Sequence, residues 1–139
     1  MKSLRNMVNT VNALTGKTGR QGKVLDAVRE WAGAVQAFLT TYELYGNGNL
    51  DTLLEKRGEA KFDLVGITYN GRPLIDTAKA FKKTELPELV EVVVNGAEAV
   101  RRYLIDPALQ ESHLTQAALN LRVDYERLQA EINRILNSD

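Results

Sequence analysis

Apolar residues recur in a 4-3-4-3-4-3 rhythm twice along the chain, and that rhythm predicts two long helices. Near the C-terminus Leu114, Ala118, Leu121, Tyr125, Leu128, Ile132 and Ile135 fall on one stripe of a helix over residues 114–136. Val24, Val28, Trp31, Val35, Phe38, Tyr42 and Tyr45 repeat the spacing, with Leu25, Ala32 and Leu39 widening the stripe. Read as heptads, Leu114, Leu121, Leu128 and Ile135 take d positions, and Ala118, Tyr125 and Ile132 take a positions. This is the pattern of a helix that seeks another helix, as in a coiled coil. Each stretch is about 23 residues and so roughly 34 Å long as a helix. The strict seven-residue repeat favours the shallow left-handed crossing of bundles.

Between and before these stretches the pattern is weaker. Leu4, Met7, Val8, Val11 and Leu14 predict a short amphipathic helix ending before Gly16, and the glycine-rich run over 15–22 predicts a loop. Gly46-Asn47-Gly48-Asn49 breaks the first long helix, and Asn49 can cap a short one carrying Leu50, Leu53 and Leu54 up to about Gly58. Phe62, Leu64, Val65, Ile67 and Tyr69, followed by Asn70-Gly71, predict a small β-hairpin. Pro73 puts its return arm, residues 72–75, at an edge. Asp76 then caps a short helix through Ala78, Ala80 and Phe81.

Leu86, Leu89, Val90, Val93, Ala97, Val100 and Leu104 make a third helical stripe, with Pro87 admissible in its first turn. Val92-Val93-Val94 before Asn95-Gly96 also fits a strand and turn, but the helical period runs through Gly96, and a helix is the preferred reading. Asp106-Pro107 opens the final helical region as cap and first position. The expected architecture is therefore a mainly α single domain over 1–139, a helical bundle with two long heptad-patterned helices and one small β-hairpin.

Composition narrows the function classes. At 139 residues, 44% hydrophobic and 26% charged, the chain has the size and make-up of one globular domain with its own core. It has no 18-residue uncharged run that would span a membrane. The absence of cysteine removes disulfides, thiol nucleophiles and thiolate metal sites, and fits a reducing compartment. Asn6, Asn9 and Asn12 interrupt the apolar core a secretory signal requires, so the expectation is a cytoplasmic protein. Eighteen basic and eighteen acidic residues cancel, yet residues 1–25 carry Lys2, Arg5, Lys17, Arg20 and Lys23 and no acid.

Each candidate for chemistry departs from its pattern. The 16–24 run has the glycines and cations of a phosphate loop. It has five residues where a Walker A loop has four, and Val24 stands where a hydroxyl would hold magnesium. Asn47, Asn49 and Asp51 begin like a calcium loop, but Thr52 and Gly58 replace its glycine and glutamate. His113, the only histidine, adjoins Ser112 at about 100° around a helix, a poor arrangement for nucleophile and base. Glu85, Glu88, Glu91 and Glu98 line a helical edge, without the facing carboxylates a helical metal site uses.

The sequence thus points to a non-enzymatic protein-protein interaction or assembly protein, an adaptor, inhibitor or structural subunit, binding a protein partner or itself through helical surfaces. No catalytic, metal or cofactor site is expected. Ala118, Leu119, Val123 and Leu136 are the candidate helix–helix contacts. The alternative is phosphate-directed nucleic-acid binding through Lys17, Arg20 and Lys23, with affinity falling steeply with salt.

Overall fold

The computed structural model describes residues 19–44 and 50–138, with side chains from residue 21 on, and shows five α-helices and no strand among them. They are α1 (Gly19–Tyr42), α2 (Leu50–Glu55), α3 (Arg57–Thr77), α4 (Leu86–Ile105) and α5 (Glu111–Asn137), with a 3₁₀ turn at Ala78–Ala80 after α3. The predicted helix over residues 4–14, Tyr45 and the Asn49 cap lie outside the described residues.

The long helices form an up-down-up-down bundle in which α3 packs on α1 and α4, and α5 on α4 and α1. Cross-helix contacts fix the directions. The Tyr42 hydroxyl donates to Asp63 Oδ2 (3.1 Å) and the Trp31 indole N–H to the Ile67 carbonyl (2.8 Å), so α1 and α3 run antiparallel. His113 packs its ring, tilted, against Tyr103 at one end of the α4–α5 pair, while Glu131 reaches the Glu85 backbone at the other. Every described residue of the three sequence stripes is buried, Val24 to Tyr42 on α1, Leu86 to Leu104 on α4 and Leu114 to Ile135 on α5. The stripes therefore meet one another inside the molecule and build one core.

The hairpin expected over residues 62–75 is replaced by α3. Ala60, Leu64, Ile67 and Gly71 are its buried residues, at 4-3-4 spacing, which a helix satisfies and a two-residue strand period does not. Asn70-Gly71 is mid-helix, where each glycine costs about 1 kcal/mol relative to alanine. Burying Leu64 and Ile67 contributes roughly 1.5–3 kcal/mol apiece and outweighs that cost. Gly71 serves close approach: a Cβ there would lie 2.6 Å from the Trp31 ring and 2.7 Å from Val94 Cγ2. Pro73 sits inside α3, where its missing N–H leaves the Tyr69 carbonyl without a helical partner.

Other boundaries moved for local reasons. α1 starts at Gly19, so part of the expected 15–22 loop is helix. It ends at Tyr42 in a Schellman arrangement, with Glu43 at φ 51°, Leu44 N–H donating to the Leu39 carbonyl and Leu44 buried. Asp76 lies within α3 and caps nothing, and the helix expected after it is only the 3₁₀ turn. Asp106 closes α4 and accepts the Ala108 N–H (2.8 Å), so residues 106–110 form a loop and α5 begins at Glu111. Leu86–Ile105 is helix throughout, including residues 89–96.

Candidate interaction surface

Folding α3 as a helix sends the residues between its buried positions outward. Phe62 and Tyr69 are each 77% exposed and Val65 is 45% exposed. Their 3-4 spacing sets them in one row, and the two aromatics, seven residues apart, stand about 10 Å from each other along the axis. Large aromatics at this exposure are unusual on a soluble surface, where the informative feature is a contiguous apolar patch.

Beside this ridge α1 presents small residues. Gly33, Ala34, Ala37 and Thr41 are exposed, and nothing lies within 4 Å of a Cβ built at Gly33 or Gly66. Ridge and shelf enclose an open groove of about 490 Å³ whose floor includes Trp31, Phe38 and Ile67. The face carries little charge: residues 31–42 of α1 and 64–71 of α3 contain no Asp, Glu, Lys or Arg. Asp63, at the rim, accepts the Tyr42 hydroxyl. Burial, then this hydrogen bond to a carboxylate, pushes the Tyr42 phenol up to about 12. On the other flank of α3, Val65, Tyr69 and Pro73 border a second groove closed by the Arg72–Glu98 ion pair (2.8 Å).

A polar groove of about 460 Å³ separates α4 and α5 and contains Asn95, His113, Gln116, Asn120 and Asp124. His113 is engaged with the Tyr103 ring, centroids 5.6 Å apart, and Gln116 with Asn120. Burial raises the Asp124 carboxyl above its usual range, against the opposing pull of Arg127 at 3.6 Å. Further along α5, Glu131 is 9% exposed and receives Arg134 through two hydrogen bonds of 2.7–2.8 Å. Those bonds, with the Glu85 N–H, hold its carboxyl below the usual range despite burial. Glu131 thus caps α4 from another helix, at a position where no side chain of α4 itself caps Glu85.

The residues singled out from sequence are dispersed. Ala118 is buried in the core, Leu119 is half-buried, Val123 is half exposed and Leu136 is 37% exposed, all on α5 and away from the α1–α3 face. Lys23 is exposed on α1, while Lys17 and the Arg20 side chain lie outside the described residues. Glu98 is tied to Arg72 and Glu85 supplies the backbone N–H that Glu131 accepts. Among the described residues no group of three or more His, Cys, Asp or Glu could hold a metal ion, and no helix is long and apolar enough to cross a membrane. The ridge on α3 escaped sequence reasoning because a hairpin assignment scatters Phe62, Val65 and Tyr69 over two faces. The signal that would have found it is the Ala60-Leu64-Ile67-Gly71 spacing, obscured because two of the four residues are small. No family model, curated protein or solved structure matches the chain.

Proposed function

We propose that the chain is a non-enzymatic interaction or assembly protein whose working surface is the α1–α3 face. The observation that carries this is the 77% exposure of both Phe62 and Tyr69, with Val65 at 45% between them, on a helix whose opposite face buries Ala60, Leu64, Ile67 and Gly71. Aromatic side chains anchor interfaces because they remove large areas from water at small conformational cost. Burying each one fully contributes on the order of 1.5–3 kcal/mol. The groove beside them, lined by small side chains, gives a partner's side chains somewhere to enter. The heptad stripes are consumed within the chain's own core, so association uses this second surface, with Val123 and Leu136 on α5 outside it.

The test is photocrosslinking in producing cells with benzoylphenylalanine introduced at Tyr69, and at Val123 as the comparison. The expected result is a discrete adduct of higher mass from position 69 and none from position 123. The absence of any position-69 adduct would refute the interaction reading.

A further inference from the structure

We infer that the occupant of the α1–α3 face is a second copy of this chain, seated about a twofold axis that runs along the groove, parallel to the helices. The inference rests on the interaction reading above and names its partner.

The face is self-complementary in a way that selects this axis. The ridge carries Phe62 and Tyr69 seven residues apart, and the shelf carries Ala34 and Thr41 at the same separation. Because α1 and α3 are antiparallel, with Tyr42 beside Asp63 and the Trp31 ring against Gly71, Phe62 lies near the level of Thr41 and Tyr69 near that of Ala34. Rotation by 180° about an axis along the groove preserves height and exchanges the two sides. Each ridge then lies over the other copy's shelf, with Tyr69 facing a second Ala34 and Phe62 a second Thr41. The other in-plane twofold, perpendicular to the helices, stacks ridge on ridge and leaves both shelves empty. Closed symmetry of the first kind is what an isologous dimer requires.

Charge agrees with the same arrangement. The uncharged shelf run is bounded by Glu30 and Glu43, and the ridge by Lys61 and Asp63 at one end and by Arg72, paired with Glu98, at the other. Laying ridge on shelf at equal height brings Lys61 toward the other copy's Glu43 and Arg72 toward its Glu30, with Asp63 engaged by Tyr42 of its own chain, while the uncharged centre avoids like-charge repulsion between identical molecules. Area agrees as well. Phe62 and Tyr69 alone leave on the order of 300 Å² in water, more than a third of the ~800 Å² per partner of a standard interface. Val65, Pro73 and the shelf extend the contact.

Sedimentation equilibrium of the full chain between 1 and 100 µM, with peptide mapping of the position-69 photoadduct, tests this. The expected result is twice the 15.5 kDa chain mass and a crosslink from position 69 to the segment around Ala34. Phe62→Glu/Tyr69→Glu on the ridge and Ala37→Arg on the shelf should each weaken self-association at least 100-fold. Circular dichroism should remain unchanged, since all three positions are exposed. Val123→Glu should leave the dimer intact. A monomer at 100 µM whose position-69 adduct contains a different protein overturns the dimer and leaves the interaction reading standing. A crosslink within the same chain to residues 1–18, or a dimer crosslinked from α3 to α3 and indifferent to Ala37→Arg, also overturns it. No adduct with a monomeric chain refutes both.

Discussion

Replacing Gly71 by alanine tests the packing of the bundle at its tightest point. A mid-helix Gly→Ala change gains about 1 kcal/mol of helix propensity, and that gain is expected at Gly66, five residues earlier on the same helix, where an added Cβ meets nothing within 4 Å. At Gly71 the new methyl would lie 2.6 and 2.7 Å from two atoms of the Trp31 ring and 2.7 Å from Val94, against an ordinary carbon–carbon contact of about 3.5–4.0 Å. The roughly 1 Å shortfall can be relieved by spreading α1 and α4 from α3, an overpacking cost of about 1–3 kcal/mol. It can also be relieved by tilting the indole, which breaks its 2.8 Å bond to the Ile67 carbonyl and strands a buried acceptor at about 1–3 kcal/mol. After subtracting the propensity gain, Gly71→Ala should destabilise by up to about 2 kcal/mol, whereas Gly66→Ala should stabilise by up to about 1 kcal/mol. Urea unfolding followed by circular dichroism measures both. The Phe62→Glu/Tyr69→Glu background keeps the proposed self-association from contributing to apparent stability. In a Trp31→Phe background, which removes the obstructing part of the ring, the Gly71→Ala cost should fall by more than half, a coupling read from the double-mutant cycle. Equal, favourable effects at both glycines would refute the close-approach argument.

Two carboxylates on α5 should show opposite pH behaviour. Glu131 has a lowered carboxyl pKa, so its contribution is complete above the unfolded carboxylate value and is lost as pH falls through the folded one. Glu131→Gln should destabilise by about 1.5–3 kcal/mol at pH 7, with the difference from wild type shrinking below pH 4 in urea titrations. Asp124 has a raised pKa because burial penalises its charge, so its ionisation opposes folding as pH rises past the unfolded value. Asp124→Asn should therefore stabilise at pH 7, and a loss of stability there would contradict the assignment. The Thr68 hydroxyl is buried with no hydrogen-bond partner among the described residues. Thr68→Val, similar in shape and β-branching, should be neutral or stabilising by up to about 1 kcal/mol in thermal unfolding, and a marked loss would mean that the hydroxyl has a partner.

The sequence exposed the bundle wherever periodicity and burial coincide. The α1 and α5 stripes are long and made of large residues, and α4 keeps its period across Gly96, where a Cβ would come within 3.3 Å of Leu121. A glycine required by a neighbouring helix was there misread neither as a turn nor as a break, because large residues on both sides kept the rhythm. At Gly71 the same requirement looked like turn chemistry. Asn70 precedes it and Pro73 follows, and the aromatic and β-branched residues around it suggested strands. The partner that explains Gly71 is Trp31, 40 positions earlier, and no local window contains both. The exposed α1–α3 face was illegible for the same reason: the exposure of Phe62 and Tyr69 follows from which face of α3 the glycine presses against α1 and α4. The Glu131 cap on α4 was equally invisible, since it joins residues 46 positions apart.

Trp31 is the only tryptophan in the chain, and its position makes the molecule its own optical reporter. The indole is wedged near Gly71 and Val94, bonded through its N–H to a carbonyl of α3, and forms part of the groove floor. Its fluorescence therefore reports a single junction, the seating of α1 on α3. Helix content, by contrast, is averaged over the whole chain, the five described helices included. If α1 detaches before the α3–α4–α5 unit melts, the emission will redden while ellipticity holds. If the bundle opens as one, the two signals will coincide.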